Sequence, residues 1–504
     1  MNNQSDVNGV LVVYTGGTIG SVPKNEKEEL SPLIPLNSQD VGVRDNPLFK
    51  YVPRFDSDDQ KILLGRKVRV KLTSLQKPID SSNVSPEIWS EITRIIKDEY
   101  DNFEGFVILM GTDTMTYTAS VLSFMIDNLN KPIVITGSQR PVGETRSDAV
   151  QNLVTAIEIA AAKSLGKTVV PEVSLFFRNK LFRGCRTVKF SASNYEAFQS
   201  PNFPPLGTAD EHIVMNDHLL RPPSSQSLQI SSEYSPKVMY LKIAPGMDLD
   251  LIDTIVTSQK LEGIILLTYG TGNAPTHPGF LDVIEKSIKA GKIIVNITQC
   301  FSGEVELGLY DVSAGLLSRG VISGLDMTAE AAYTKLCYLL ATRKDKSEIV
   351  DLMQINLRGE QRQSIFNLHF GSGEMGEDEE SLIIHPTKEM VDNKQYNPEL
   401  IDKAFLRIMG ITEPDGSRNQ SARGRLFINL EGANSKTPTN SDNYLGSFDK
   451  RWSAEDGPEN IFLPITRQAR KNIGTKHPVF ITLLNENGRK LRWEKMEIGI
   501  FANC

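Results

Sequence analysis

The chain has 504 residues and a formal net charge of −7, and about 150 residues per domain predicts roughly three domains. The acidic balance argues against nucleic acid or an anionic membrane surface as a partner. The four cysteines are scattered without a C-x-x-C pair, which favours a reducing compartment over a disulfide framework or a zinc site. Neither a basic-then-apolar leader nor a stretch of roughly 20 apolar residues is present, so we expect a cytoplasmic protein.

Short apolar, β-branched runs alternate with helical patterns over the first 205 residues, which is typical of βαβ units and a parallel sheet. We therefore expect an N-terminal α/β domain over residues 1–205. Strands are predicted at residues 10–14, 68–72, 106–109, 132–135 and 173–177, and helices at residues 86–100 and 115–128.

Residues 206–236 include Pro222-Pro223-Ser224-Ser225 and a polar run, which predicts a linker. A second α/β series follows, with strands expected at residues 238–243, 263–267 and 293–297 and helical patterns out to about Arg358. We expect a smaller parallel α/β domain over residues 237–370.

Glycines and the acidic run Glu377-Asp378-Glu379-Glu380 predict a solvated boundary within residues 371–380. The remainder, residues 371–504, is expected to be an α+β extension of unknown function. A helix is predicted at residues 398–409 and strands at residues 426–430 and 479–484. Because Asn487-Gly488 is a hairpin turn signal, residues 490–501 are predicted to pair with the strand at residues 479–484.

The first candidate motif is Tyr14-Thr15-Gly16-Gly17-Thr18-Ile19-Gly20-Ser21, directly after the first predicted strand. Ligands of open parallel sheets bind at the carboxyl ends of the strands, and glycine lets the backbone approach a ligand closely. The structural alternative is a tight turn with no other role. Phosphate binding is disfavoured, because neither a P-loop nor the complete dinucleotide fingerprint is present.

Three further clusters follow predicted strands: Asp80-Ser81-Ser82-Asn83, Gly111-Thr112-Asp113-Thr114-Met115, and Arg183-Gly184-Cys185-Arg186-Thr187-Val188-Lys189. Taken alone, the first two are also good helix caps, and the lysine of the third is also an ordinary surface charge. Taken together, all four motifs can project into one crevice.

The chemistry available in that crevice is limited by the histidines, the first of which is His212. A Ser-His-Asp triad or an H-E-x-x-H zinc site is therefore excluded from the N-terminal region. Hydroxyls, a carboxylate and a lysine favour a hydroxyl nucleophile with lysine as its base. Burial would lower the pKa of the lysine and Asp113 would raise it; the sequence leaves open which effect is larger.

These residues resemble the bacterial-type L-asparaginases, in the cytosolic type I branch, over residues 8–365. The resemblance rests on the motifs above and on several more in the same order: Gly105 to Met115, Thr136-Gly137-Ser138-Gln139, Tyr269-Gly270-Thr271-Gly272-Asn273-Ala274-Pro275, Thr298-Gln299-Cys300 and Asn356-Leu357-Arg358-Gly359-Glu360. It implies two α/β domains, the first with a mainly parallel, flavodoxin-like sheet and helices on both faces.

The resemblance also implies roles for individual residues. Thr15 would be the nucleophile that forms an acyl-enzyme from L-asparagine, and Thr112, Asp113 and Lys189 would activate it. Ser81 and Ser82, with Thr112 and Asp113, would bind the substrate, with Ser81 on its α-carboxylate and Asp113 on its α-ammonium. Backbone N–H groups near Thr112 would stabilise the oxyanion. No metal or organic cofactor is expected, and the protein would be a homodimer or homotetramer.

The sequence departs from the family at two places. No tyrosine occurs between Tyr14 and Tyr51, where many members carry a loop tyrosine near the nucleophile, so Lys189 is the better candidate for proton transfer. Leu267 stands where some type I enzymes have an arginine that binds activating asparagine, although Cys300 fits that site. Activation by asparagine is therefore not expected by this route.

The alternatives are a related amidohydrolase, such as the ammonia-generating subunit of a tRNA-dependent amidotransferase, a lysophospholipase-like activity, and a non-catalytic amino-acid-binding protein. The amidotransferase subunit normally carries an additional N-terminal domain, and the complete set of expected catalytic residues disfavours a non-catalytic binder.

Residues 371–504 resemble no family that we can name. The preference for asparagine over glutamine is left open.

Overall fold

The computed structural model describes residues 9–502 apart from 26–30, 32, 36–46, 53–54, 57–60, 65, 165–166, 308–310, 363, 378, 387, 391–400, 413–418, 454–458 and 474–478. These residues form two α/β domains followed by a C-terminal extension made mainly of β-strands. Within these ranges, no helix has the length and apolar character needed to cross a membrane.

The N-terminal domain combines strands and helices. Its helices are α1 (Pro47–Lys50), α2 (Pro86–Glu99), α3 (Met115–Met125) and α4 (Ala149–Ala161). Its strands are β1 (Gly9–Gly16), β2 (Ser21–Pro23), β3 (Leu33–Pro35), β4 (Phe55–Asp56), β5 (Lys61–Leu64), β6 (Arg66–Ile79), β7 (Gly105–Leu109), β8 (Ile126–Asp127), β9 (Ile133–Thr136), β10 (Lys163–Ser164), β11 (Lys167–Thr168), β12 (Val173–Phe177), β13 (Lys180–Arg183), β14 (Val188–Lys189), β15 (Phe198–Gln199), β16 (Gly207–Ala209), β17 (Ile213–Met215) and β18 (Gln229–Ile230).

A ten-stranded sheet organises this domain, in the order β17-β16-β13-β12-β9-β7-β1-β6-β5-β4. The central strands β6, β1, β7, β9 and β12 pair in parallel, and the outer strands pair antiparallel. Val10 and Val12 pack into the core that α4 covers, whereas Leu11 and Val13 pack into the core that α2 and α3 cover. The predicted sheet with helices on both faces is therefore confirmed. The prediction was possible because strands buried on both faces form continuous apolar runs in the sequence.

The N-terminal sheet continues beyond the boundary predicted at residue 205. β16 pairs with β13 and β17, and β18 pairs with β8. The prediction of residues 206–236 as a linker is therefore wrong for these strands. Strands of two or three residues are too short to produce a periodic signal, and the surrounding prolines and polar residues hide them.

The second domain is a smaller version of the same architecture. Its strands β19 (Val238–Lys242), β20 (Gly263–Thr268), β21 (Ile293–Thr298) and β22 (Ile322–Ser323) form one parallel sheet. Two hydrophobic clusters lie on opposite faces of that sheet. The first is covered by α5 (Leu249–Val256), α6 (Pro278–Lys289) and α7 (Asp311–Ser318), and the second by α8 (Ala329–Thr342) and α9 (Lys346–Gln354).

The extension consists of two antiparallel sheets that enclose one hydrophobic core. The sheet orders are β25-β23-β31-β26-β29 and β24-β30-β27-β28. Its elements are β23 (Ser364–Met375), β24 (Ser381–Ile384), β25 (Lys388–Met390), β26 (Ile401–Ile411), β27 (Asn419–Ile428), β28 (Tyr444–Ser453), β29 (Glu459–Pro464), α10 (Thr466–Asn472), β30 (Ile481–Asn485) and β31 (Leu491–Ala502).

Two predictions for the extension are wrong in their secondary structure or its limits. The helix expected at residues 398–409 is strand β26 from Ile401 onward, and residues 398–400 lie outside the described residues. Ala404, Leu406 and Ile408 are buried while the residues between them are less so, which is the two-residue period of a strand. The boundary expected at residues 371–380 begins inside β23 (Ser364–Met375), so the strands of the extension already start at Ser364.

The predicted hairpin between residues 479–484 and 490–501 is also wrong. Both segments are strands, β30 and β31, but they belong to different sheets. β31 pairs with β23 and β26, and β30 pairs with β24 and β27. The turn at Gly488 has a φ of 60° and connects the two sheets of the sandwich. Side chains of both strands, β30 and β31, pack into the single hydrophobic core between those sheets.

Candidate active site

Thr15 lies at the carboxyl end of β1 and is only 3% exposed. Its hydroxyl donates a hydrogen bond of 3.0 Å to the backbone oxygen of Leu109, the last residue of β7. The next two residues, Gly16 and Gly17, have φ values of 116° and 81°, which favour glycine. A Cβ on Gly17 would lie 2.1 Å from the backbone nitrogen of Gly111. Gly17 therefore allows the loop after β1 to touch the loop after β7.

Ser81 connects the end of β6 to the same loop. It opens a short 3₁₀ helix, Ser81–Asn83, and its Oγ accepts a 3.3 Å hydrogen bond from the backbone nitrogen of Asp113. The Thr114 hydroxyl donates to the Ser81 carbonyl at 2.7 Å. Ser82 is exposed, and its hydroxyl donates to Asp80 at 2.6 Å. The buried Ser81 therefore lies against the loop after β7, whereas the Ser82 hydroxyl is bonded to Asp80.

Thr112, Asp113 and Lys189 lie together, as the sequence predicts. Lys189 ends β14, and its Nζ donates to Thr112 Oγ1 at 2.9 Å and to Asp113 Oδ1 at 2.5 Å. The Lys189 side chain is 17% exposed, whereas that of Asp113 is 63% exposed. Lys189 is thus held by two side chains rather than being a free surface charge, and the Asp113 carboxylate opens to solvent.

The capping alternatives hold for one of the two clusters. Asp80 caps the short helix by accepting a hydrogen bond from the backbone nitrogen of Ser82. Thr114, the residue that precedes α3, makes no side-chain capping bond. The polar run at residues 112–114 therefore does not serve to cap α3.

Arg186 fixes the segment that carries Lys189. The arginine is 1% exposed, and it donates to the Gly359 carbonyl and to Asp326 Oδ2, both at 2.7 Å. These bonds tie the segment to the second domain. Sequence reasoning missed this support: Arg186 and Gly359 both lie in motifs that the resemblance marks, but one sequence gives no sign that residues so far apart make contact.

A cavity of about 260 Å³ borders Lys189 on the side of the second domain. Leu267 and Cys300, which the resemblance relates to the activator site of some type I enzymes, both line it. Glu330 also lines it, and burial raises the pKa of that carboxyl. In the part of the chain that the structure describes, no three histidine, cysteine, aspartate or glutamate residues are grouped so that they could hold a metal ion.

Comparison with known proteins places this geometry in a family. The family model "Asparaginase, N-terminal" matches residues 9–221, and "Glutaminase/Asparaginase C-terminal domain" matches residues 237–353. The chain therefore belongs to the asparaginase family.

Within that family, the chain is 38% identical over 351 residues to L-asparaginase 1 of Escherichia coli K12, covering 70% of this chain and 97% of the relative. The crystal structure of L-asparaginase I from Vibrio cholerae matches with a TM-score of 0.60 and 35% identity, over 70% of this chain and 98% of that one. A more distant relative, a glutamyl-tRNA(Gln) amidotransferase subunit from Saccharolobus solfataricus, is 31% identical over 358 residues, 70% of this chain and 76% of the relative. These matches leave most of the extension uncovered.

Proposed function

We propose that this protein is an L-asparaginase that converts L-asparagine to L-aspartate and ammonia, with Thr15 as nucleophile. The observation that carries the proposal is a set of hydrogen bonds: Ser81 to the backbone of Asp113, Lys189 to Thr112 and Asp113, and Thr15 to Leu109, which ends β7 just before Thr112. A threonine hydroxyl needs a base to become nucleophilic, and the Lys189–Thr112–Asp113 contacts supply a lysine held in place by its neighbours.

In the proposed reaction, Lys189 acts as a neutral amine: Thr15 Oγ1 attacks the side-chain amide carbon while its proton passes to the Lys189 amine by way of Thr112. The tetrahedral oxyanion lies against backbone N–H groups near Thr112, which stabilise the developing charge. The C–N bond breaks, the amide nitrogen takes the proton and leaves as ammonia, and an acyl ester remains on Thr15. Water then attacks the ester, and its proton restores the Thr15 hydroxyl.

Substrate binding is assigned to the same cluster. Ser81 is proposed to hold the α-carboxylate, and the exposed Asp113 carboxylate to face the α-ammonium. Ser82 is proposed to contribute less, because its hydroxyl is already bonded to Asp80. We expect Ser81→Ala to raise the KM for asparagine severalfold more than Ser82→Ala; the reverse order would contradict this division of roles.

The decisive test is Thr15→Ala, assayed by steady-state ammonia release from L-asparagine, D-asparagine and L-glutamine. We expect a folded protein with nearly abolished hydrolysis, whereas Thr18→Ala in the same loop should retain it. Normal ammonia release by Thr15→Ala would overturn the assignment. Activity on glutamine but not asparagine in the unmodified protein would favour the amidotransferase-like alternative.

We also propose a cytoplasmic, homo-oligomeric protein. The openness of the site supports an oligomer, because the Asp113 side chain is 63% exposed and Phe190, the neighbour of Lys189, is 55% exposed. A second copy that covered this side would exclude water from the reaction. Light scattering on the protein as it elutes from a size-exclusion column should give the mass of a dimer or tetramer. A monomer with full activity would contradict the proposal.

A further inference from the structure

A second cavity lies away from the proposed active site. It encloses about 160 Å³ between the C-terminal end of α3, the residues before β12, and the segment that joins the two domains. α3 begins beside the polar residues at 112–114 and ends at this cavity, and its eleven residues span roughly 16 Å at 1.5 Å per residue. The two sites are therefore separate.

Two guanidinium groups, those of Arg221 and Arg358, line this cavity. Arg358 is already paired, with Asp127 at 3.1 Å and with the carbonyl of Ser123 at 3.0 Å. The side chain of Arg221 makes no hydrogen bond or ion pair with any residue in the described ranges. Burial and the positive charge of Arg358 lower the pKa of Arg221. The cavity thus contains a partly buried guanidinium whose side chain is hydrogen-bonded to none of the described residues.

The carboxylates that line the cavity make their hydrogen bonds with other groups, and the negative charge of Glu172 offsets only part of the lowering of the Arg221 pKa. Glu172 is 5% exposed and holds Arg183 at 2.6 Å, and it also accepts the backbone N–H of Arg221 at 3.1 Å. Asp127 is engaged with Arg358. A buried charge is stabilised by an opposite charge or by hydrogen bonds. We therefore expect an anion from solution to bind to the Arg221 guanidinium.

We propose that this cavity is a binding site for a compact oxyanion group, a carboxylate or a phosphate, with Arg221 as its main ligand and Arg358 as its second. The planar guanidinium fork binds both kinds of oxyanion through paired N–H donors. The volume suits one such group or a very small molecule, because pockets for larger organic ligands begin at about 300 Å³.

Isothermal titration calorimetry on the full-length protein tests the proposal, with inorganic phosphate and acetate as separate probes and chloride at matched ionic strength as the blank. Stronger heat with phosphate identifies a phosphate site, and stronger heat with acetate a carboxylate site; either result supports oxyanion binding. No saturable heat beyond chloride with either probe overturns it.

Two substitutions that act in opposite directions separate binding from loss of folding. Arg221→Gln removes no ion pair, so the protein should fold normally. It should bind the probe at least about tenfold more weakly, which corresponds to the loss of one charge-assisted hydrogen bond. Asp127→Asn releases Arg358 and should tighten binding severalfold. Arg94→Gln, on the exposed face of α2, should change nothing. Unchanged affinity in Arg221→Gln, or weaker affinity in Asp127→Asn, overturns the assignment.

Discussion

Lys189 donates a hydrogen bond from Nζ to the hydroxyl of Thr112 at 2.9 Å. Since an ammonium group is a donor only, the Thr112 hydroxyl must point its own hydrogen elsewhere. As the lysine loses its proton, the same pair of atoms can reverse direction, with the hydroxyl donating to the neutral amine. Under the proposed mechanism, Thr112 would pass the proton of Thr15 to Lys189 through this contact.

The first prediction concerns that route. Lys189→Met should lower kcat for asparagine by about 10²- to 10⁴-fold, the range for loss of a general base, with a smaller effect on KM. Lys242→Met is the control, because Lys242 is exposed and borders the same cavity. Steady-state ammonia release measures both variants. A kcat within twofold of the unmodified protein in Lys189→Met would remove lysine from the mechanism.

The second prediction concerns the contact between the loops after β1 and β7. Gly17→Ala should abolish activity and lower the Tm, because the new Cβ would meet the Gly111 backbone at 2.1 Å. Gly246→Ala is a matched control: its φ is also 81°, but no atom lies within 4 Å of its added Cβ. It should show only the milder cost of backbone strain. Equal losses of Tm in the two variants would mean that the close contact is unimportant.

The third prediction concerns stability. Lys335 and Glu360 form a fully buried ion pair of 2.6 Å, and Glu360 also accepts the backbone N–H groups of Leu357 and Arg358. Glu360→Gln should destabilise the protein by about 3–5 kcal/mol, because it leaves the Lys335 charge buried and unpaired. Glu348→Gln breaks an exposed pair with Arg343 and should cost under about 1 kcal/mol. Calorimetric Tm values that fall equally in both variants would contradict this.

The fourth prediction concerns pH. Burial raises the pKa of Glu330 above its ordinary value of 4.5, so the folded state holds this proton more tightly than the unfolded state. Stability from this group is complete below pH 4.5 and is lost as the pH rises through the folded pKa. Glu330→Gln cannot ionise, so its Tm relative to the unmodified protein should be higher at about pH 8 than at about pH 4. The opposite trend would show that the carboxylate is stabilised instead.

The fifth prediction concerns the extension. A chain ending at Arg362 keeps both α/β domains and should retain most asparagine hydrolysis. A chain ending at Gly371 keeps part of β23 without its partner β31, and an unpaired strand edge promotes association. We expect it to aggregate in light scattering, whereas the shorter chain stays dispersed. Loss of activity in the chain ending at Arg362 would assign the extension a part in catalysis.

The sequence was sufficient for the parts of the fold that rest on local pattern. Continuous apolar runs such as β1 predict strands buried on both faces. Polar residues at the carboxyl ends of such strands, such as Thr15 and Thr112, predict where the proposed site lies. The partnership between Arg186 and Gly359 was not predictable, because it is decided by how two domains pack.

The extension shows the same limit on a smaller scale. Residues 401–409 contain good helix formers, yet the two-residue spacing of Ala404, Leu406 and Ile408 matches one core, and that tertiary packing prevails over propensity. The turn at Asn487-Gly488 is a local feature, but the choice of partner for the strand after it depends on residues more than 80 positions away.

The hydrogen bond from Thr15 to the Leu109 carbonyl has a consequence for the protein without bound substrate. A hydroxyl has one hydrogen, and in this structure it is committed to a backbone acceptor. Under the proposed mechanism, that hydrogen must turn away from Leu109 before any base can receive it. Under that mechanism, substrate binding would have to change the orientation of the Thr15 hydroxyl before it could attack, so the free protein would react slowly with other acyl compounds.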